Sequence, residues 1–178
     1  MTKPVDKNCK SVEWWTPERV LVPVREYFGG SISLDPATAP SNPPKADRFF
    51  TSSENGLEMD WEDGTFVNPP YGPEIKDWIR KIKEEAEAGR EIIALLPASR
   101  WEQQYFQECV FNHRLDWMCL IRKRLQFFDG NKKEVCKSNP YASVLYGYNI
   151  SQWRLFRDCM ETIGSLARIW NTTVHGEK

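Results

Sequence analysis

Thr65-Phe66-Val67-Asn68-Pro69-Pro70-Tyr71 and, further along, Ile92-Ile93-Ala94-Leu95-Leu96 decide how this chain folds. Each begins as a short apolar run and ends at proline, as a strand covered on both faces does. Between them, Pro73 to Ala88 places Ile75, Trp78, Ile79 and Ile82 on one helical face and Lys and Glu on the other, and Gly89 is a suitable stop. Strand, amphipathic helix and strand in that order make a parallel crossover unit.

Working outward, the rest of the chain alternates in the same way. Thr16-Pro17-Glu18 reads as a helix start, with Thr16 as N-cap and Pro17 at the first helical position. Val20, Leu21, Val24, Tyr27 and Phe28 follow at helical spacing to Gly29-Gly30, and Pro23 predicts a kink or two shorter pieces. Strands are expected at residues 31–34, 48–50, 116–121 and 142–148. Ser99 and Glu102 form a capping-box pattern for a helix through about Phe111. Residues 151–163 read as helix, and 165–170 as a last strand or further helix. This predicts an α/β sandwich with a largely parallel sheet, in which ligands collect at the carboxyl ends of the strands. Asp35-Pro36 and Asn68 to Tyr71 both fall at such ends.

Asn68-Pro69-Pro70-Tyr71 suits the transfer of an electrophilic methyl group to a planar, poorly nucleophilic NH2. The Asn68 side chain and the Pro69 carbonyl can each accept one N–H of the amine. Two prolines keep the turn rigid, and Tyr71 offers a ring on which a flat group can stack.

Composition narrows the setting. The 178 residues suit one domain, read as 13–178 behind a loosely held tail at 1–12, and 40% hydrophobic content excludes a disordered chain. The net charge of −1 excludes a polycation, but Arg122, Lys123, Arg124, Lys132, Lys133 and Lys137 cluster, interleaved with Phe127 and Phe128. Such a mixture is expected of a nucleic-acid surface. Five widely spaced cysteines without a C-x-x-C pair argue against zinc and against a disulfide framework. No signal peptide or membrane-length apolar run is visible, so the expectation is a cytoplasmic protein with no membrane and no obligate protein partner.

Taken in order, Glu13-Trp14-Trp15-Thr16-Pro17, Gly29-Gly30-Ser31-Ile32-Ser33-Leu34-Asp35-Pro36-Ala37, Asn55-Gly56-Leu57, Asn68-Pro69-Pro70-Tyr71-Gly72, Leu95-Leu96-Pro97-Ala98 and Arg124-Leu125-Gln126-Phe127 resemble the small phage-type DNA N6-adenine methyltransferases. The resemblance implies an abbreviated Rossmann-like, class I methyltransferase fold with a mostly parallel sheet, S-adenosylmethionine as methyl donor, and double-stranded DNA as substrate in a bacterial host cell. It places Trp15, Thr16, Asp35, Pro36, Ala37 and Asn55 at the cofactor and Asn68, Pro69, Pro70 and Tyr71 at catalysis. Phe127 is expected to sandwich a flipped base opposite Tyr71, with Phe128 beside it, while Arg122 or Arg124 holds a phosphate. Arg100 and Trp101 form a weaker candidate pair.

Two departures stand out. The loop Asp35-Pro36-Ala37-Thr38-Ala39-Pro40 lacks the usual glycines, and the acidic partner of the cofactor ribose is open among Asp47, Glu58 and Asp60. Methylation of a glutamine amide or an RNA amine, and a non-catalytic DNA-binding module on the same scaffold, are the alternative readings.

Overall fold

A computed structural model describes residues 14–112, 114–129, 134–135 and 141–169. The expected tail at 1–12 and the cations Lys132, Lys133 and Lys137 lie outside the described residues. The elements are β1 (Trp14–Trp15), α1 (Glu18–Tyr27), β2 (Leu34–Asp35), β3 (Arg48–Phe49), β4 (Thr65–Val67), α2 (Ile75–Glu87), β5 (Ile92–Pro97), α3 (Gln104–Cys109), β6 (Leu115–Ile121), β7 (Phe128–Asp129), β8 (Glu134–Val135), β9 (Ser143–Tyr148), α4 (Trp153–Glu161) and β10 (Gly164–Arg168).

Seven strands form one open sheet in the order β10-β6-β9-β5-β4-β2-β3. The β2–β3, β2–β4 and β4–β5 pairs are parallel, while β5–β9, β9–β6 and β6–β10 are antiparallel. The sheet is therefore mixed, which corrects the expectation of a mostly parallel one. The cause is a reversal: β9 returns between β5 and β6, and one inserted strand makes both of its neighbour pairings antiparallel. Strands β2 to β6 still point one way, so the sheet remains compatible with a Rossmann-like fold.

Residue alternation along β5 builds both layers. All six of its residues are buried. Ile92, Ala94 and Leu96 join the core that holds Ile75, Trp78, Ile79 and Ile82 of α2 and Phe106 of α3. Ile93 and Leu95 face the core of Val20, Leu21 and Val24 of α1 and Phe156 and Met160 of α4. Helices thus cover both faces, as the continuous apolar run requires.

Some local expectations change. Helix α1 runs unbroken through Pro23, but its N-cap is Pro17, with no side-chain cap hydrogen bond. Helix α3 begins only after Gln103, because Arg100 adopts a left-handed backbone (φ 83°) that a helix opening at Ser99 cannot contain. Strands β1, β7 and β8, absent from the sequence reading, form a second, three-stranded sheet. Among the described residues no helix is long and apolar enough to cross a membrane.

Ile79 is 1% exposed within the α2 core. Ile79→Ala is expected to lower unfolding free energy by about 2–5 kcal/mol in chemical denaturation.

Candidate active site

Chain direction creates the crevice. From β2 the chain moves outward to β3, whereas from β4 it crosses through α2 to β5 on the other side. The carboxyl ends of β2 and β4 therefore flank a topological switch point, where α/β sheets open to ligands. Asp35 ends β2 and Asn68 follows β4 directly, with Leu34 paired to Thr65. Asp35 and Asn68 thus lie at the same ends of adjacent parallel strands.

Asn68 is held from the N-terminal segment. Its Nδ2 donates to Thr16 Oγ1 at 3.0 Å and to the Trp14 carbonyl at 3.5 Å. A carbonyl can only accept, so the nitrogen end of the amide must face Trp14, and Oδ1 is at the end turned away from it. Thr16, 7% exposed, spends its hydroxyl on Asn68 instead of capping α1. Strand β1 itself is fixed by pairing with β7, which sets Trp15 opposite Phe128. Their rings lie 5.2 Å apart, and the Trp15 indole N–H is buried without a hydrogen-bond partner.

Asp35 is 2% exposed, and among the described residues no cation pairs with it. Burial pushes its carboxyl up to about 7, against the opposing pull of hydrogen bonds from the Ala37 N–H (3.0 Å) and the Thr38 side chain. A buried carboxylate without a counter-ion suits a ligand ammonium. Pro36 is in turn covered by Gly56. A Cβ on Gly56 would lie 2.0 Å from the Pro36 carbonyl oxygen, so only glycine permits the approach. Trp61, buried, donates its indole N–H to the Gly56 carbonyl at 2.8 Å and fixes this crossing. Asn55 adopts φ 55° there and donates its amide to Glu58 at 2.8 Å. Of the ribose candidates, Asp47 sits at the amino end of β3, away from the crevice, where it accepts from Ser31.

Tyr71 donates its hydroxyl to the Leu95 carbonyl at 3.1 Å, which pins the ring across the end of β5, and burial drives its ionisation far up. Phe127 departs from the expected stacking geometry. It is 1% exposed and meets Tyr71 edge-on, at 6.5 Å and 85°, with Trp14 edge-on behind it at 5.7 Å. Phe127 supports Tyr71 from within the core, because the β6–β9 connection turns it inward beside Leu125.

The basic turn is shaped from outside, by a side chain of α1. Arg19 of α1 donates to the carbonyls of Arg122, Lys123 and Arg124 at 3.1, 3.2 and 3.3 Å. All three residues are exposed at this turn. The Arg122 guanidinium bonds the Glu161 and Gly164 carbonyls at 2.9 and 2.8 Å, so it braces α4 and β10 as well. Trp101 is anchored, its N–H donating to Tyr146 Oη at 2.8 Å, whereas Arg100 is exposed.

The residues present fit S-adenosylmethionine: a lone buried carboxylate for the ammonium and an unpaired indole N–H for an acceptor both face demands such a zwitterion can meet. Asp35 is mostly protonated below pH 7 and must ionise to hold a cation. Donor affinity is therefore expected to rise as pH increases from 5.5 to 7.5, with proton release at the lower end. Calorimetry in buffers of differing ionisation enthalpy reads both. Gly56→Ala should weaken donor binding at least tenfold by displacing Pro36.

The family model described as DNA N-6-adenine-methyltransferase (Dam) matches residues 5–169. No curated relative matches closely enough to add to that assignment. With most of its length matched, and the crevice, the Asn-Pro-Pro-Tyr turn and the buried acid in place, the chain belongs to the DNA N-6-adenine-methyltransferase (Dam) family, whose members are S-adenosylmethionine-dependent enzymes.

Proposed function

We propose that this enzyme methylates N6 of an adenine rotated out of double-stranded DNA, at a short sequence chosen by its loops. The observation that carries the reading is the orientation of Asn68. With both amide hydrogens committed to Thr16 and Trp14, its oxygen is preset as an acceptor at the switch point, across from Asp35.

The roles follow from position. Asp35 holds the donor's ammonium, and Trp15, Thr16, Pro36, Ala37 and the Asn55–Gly56 turn close around it. Bound S-adenosylmethionine supplies a methyl group activated by a positively charged sulfur. Asn68 Oδ1 and the Pro69 carbonyl accept the two N6 hydrogens and draw the nitrogen lone pair out of the ring. Pro70 keeps the Pro69 carbonyl from turning, and Tyr71 carries the base. With the donor bound, the methyl C–S bond would break as the N–C bond forms, its electrons staying on a neutral thioether, and N6 would release a proton to water. Positioning supplies much of the rate, so the reaction needs no strong base.

Extruding the base costs a few kcal/mol. Stacking on Tyr71, at ~1–3 kcal/mol, offsets part of that. Phosphate contacts from Arg122 or Arg124, on the turn that Arg19 organises, supply more. Phe128, stacked on Trp15, forms the wall between this turn and the donor.

Incubation with labelled S-adenosylmethionine and unmethylated duplex DNA is expected to yield labelled N6-methyladenine. Label in RNA or protein glutamine, with none in DNA adenine, would overturn the reading. Asn68→Ala should lower kcat roughly 100-fold or more, in line with loss of a preorganised polar contact. Donor affinity should fall by a smaller factor, through the freed Thr16 and Trp14, and calorimetry separates the two.

A further inference from the structure

Arg19 is the second residue of α1 and lies three positions beyond Thr16, whose hydroxyl holds Asn68. The link between them is stiff. Pro17, at φ −68° and ψ 147°, is the N-cap of α1, and its carbonyl accepts from the Val20 and Leu21 N–H groups at 2.9 and 3.3 Å. Val20 and Leu21 are buried in the core that α1 shares with α4. The first helical turn is thereby fixed on one side, while Arg19 on the other is exposed.

The Arg19 side chain bridges more than a hundred residues of sequence. Its Nη1 donates to the Arg122 carbonyl, and its Nη2 donates to those of Lys123 and Arg124. In a strand successive carbonyls point to opposite sides, so three in a row cannot converge on one group. Lys123 leaves that geometry with φ 60°, and the convergence goes with its left-handed backbone. A guanidinium presents its donors in a rigid planar fork, which suits several acceptors at once. What the fork holds is the start of the connection 122–127 between β6 and β7. That connection buries Leu125 and Phe127 and then delivers Phe128 and Asp129 to β1, opposite Trp15 and Trp14. The Trp14 carbonyl and the Thr16 hydroxyl are the two acceptors of the Asn68 amide. The contacts therefore close a ring, from Arg19 through the turn, β7 and β1 back to Thr16 and Pro17, and the group that holds Asn68 is part of it.

We infer that Arg19 is a positioning residue for methyl transfer: by holding the turn at 122–124 it keeps β1 in register, and its contribution to the reaction passes through Asn68. Resting on the methyltransferase reading, this role adds a residue that acts without touching the reacting atoms. A merely structural arginine would lower stability and leave kcat of the folded protein unchanged. An arginine that gripped a phosphate directly would raise KM for DNA and leave kcat unchanged at saturating duplex. Positioning lowers kcat, because a small misplacement of a group that orients the acceptor is costly to the rate.

The test is a double-mutant cycle with Asn68→Ala, read as initial rates at saturating duplex DNA and saturating labelled S-adenosylmethionine. In the otherwise wild-type protein Arg19→Ala is expected to lower kcat about tenfold, the scale of one hydrogen bond. In the Asn68→Ala background the same change should cost less than about twofold, since the amide it positions is gone. Arg19→Lys keeps the charge and the stem but not the fork, and should lower kcat about fivefold. If Arg19→Ala shows no cooperative thermal unfolding, Arg19→Lys carries the same cycle. Losses that multiply in full in the Asn68→Ala background, a wild-type kcat for either folded variant, or an effect confined to KM for DNA would each overturn the role of Arg19 while leaving the methyltransferase reading intact. Absence of adenine methylation by the wild-type protein in any duplex would overturn both.

Discussion

The amide of Asn68, donating to the Thr16 hydroxyl and the Trp14 carbonyl, is the contact on which the rest of the site depends. It joins a two-residue strand at the start of the described chain to the turn after β4 in the middle of the main sheet. A side-chain amide has two chemically different ends, and a carbonyl partner permits only one of them. The contact therefore fixes which end of Asn68 faces the crevice as well as where the residue lies. Its net worth in stability is modest, on the order of 1 kcal/mol per bond. Its value lies in preorganisation, since an acceptor that is already aimed need not be reoriented during the reaction.

That contact requires β1 to be in place, and β1 is too short to hold itself. Its support comes from elements distant in sequence: the β7 backbone, the Phe127 and Phe128 rings, and Arg19, which gathers the three carbonyls of the preceding turn. The face expected to meet DNA and the face expected to meet the methyl donor thus share one small sheet. A disturbance at the basic turn reaches Asn68 through the β7–β1 pair, without passing through the central core.

What the sequence made legible divides along the same line. Strand β4, helix α2 and strand β5 were readable because their apolar spacing is local and strong, and Asp35 and Asn68 fell at strand ends for that reason. The mixed sheet was not readable: whether β9 pairs at the edge or inserts beside β5 depends on a connection, not on the composition of β9. Thr16 followed the helix-start pattern, yet its hydroxyl had a better partner more than fifty residues away. Phe127 followed a nucleic-acid pattern, yet an aromatic beside cations can equally be the first buried residue after an exposed turn. Gly56 had a signal in Asn55-Gly56-Leu57, but only the Pro36 carbonyl above it explains the glycine. Arg19 had none, since three backbone carbonyls leave no mark in sequence.

The left-handed residues show where the chain accepts a cost for shape. Asn55 and Asn149 tolerate such a backbone because asparagine is a short polar residue; Asn55 bonds Glu58 locally, and Asn149 reaches across to the Ala86 and Arg90 carbonyls. Lys45, Arg100 and Lys123 occupy the left-handed region too, and the Arg100 carbonyl accepts from the Gln103 N–H at 3.0 Å in the turn that leads into α3. Arg100 and Lys123 lie in loops that follow the carboxyl ends of strands β5 and β6, and both are exposed cations. Long cations held in a fixed, costly conformation along the edge that carries Asn68 and Tyr71 make sense if what they meet is an anion, and a polyanionic backbone laid across that edge meets both.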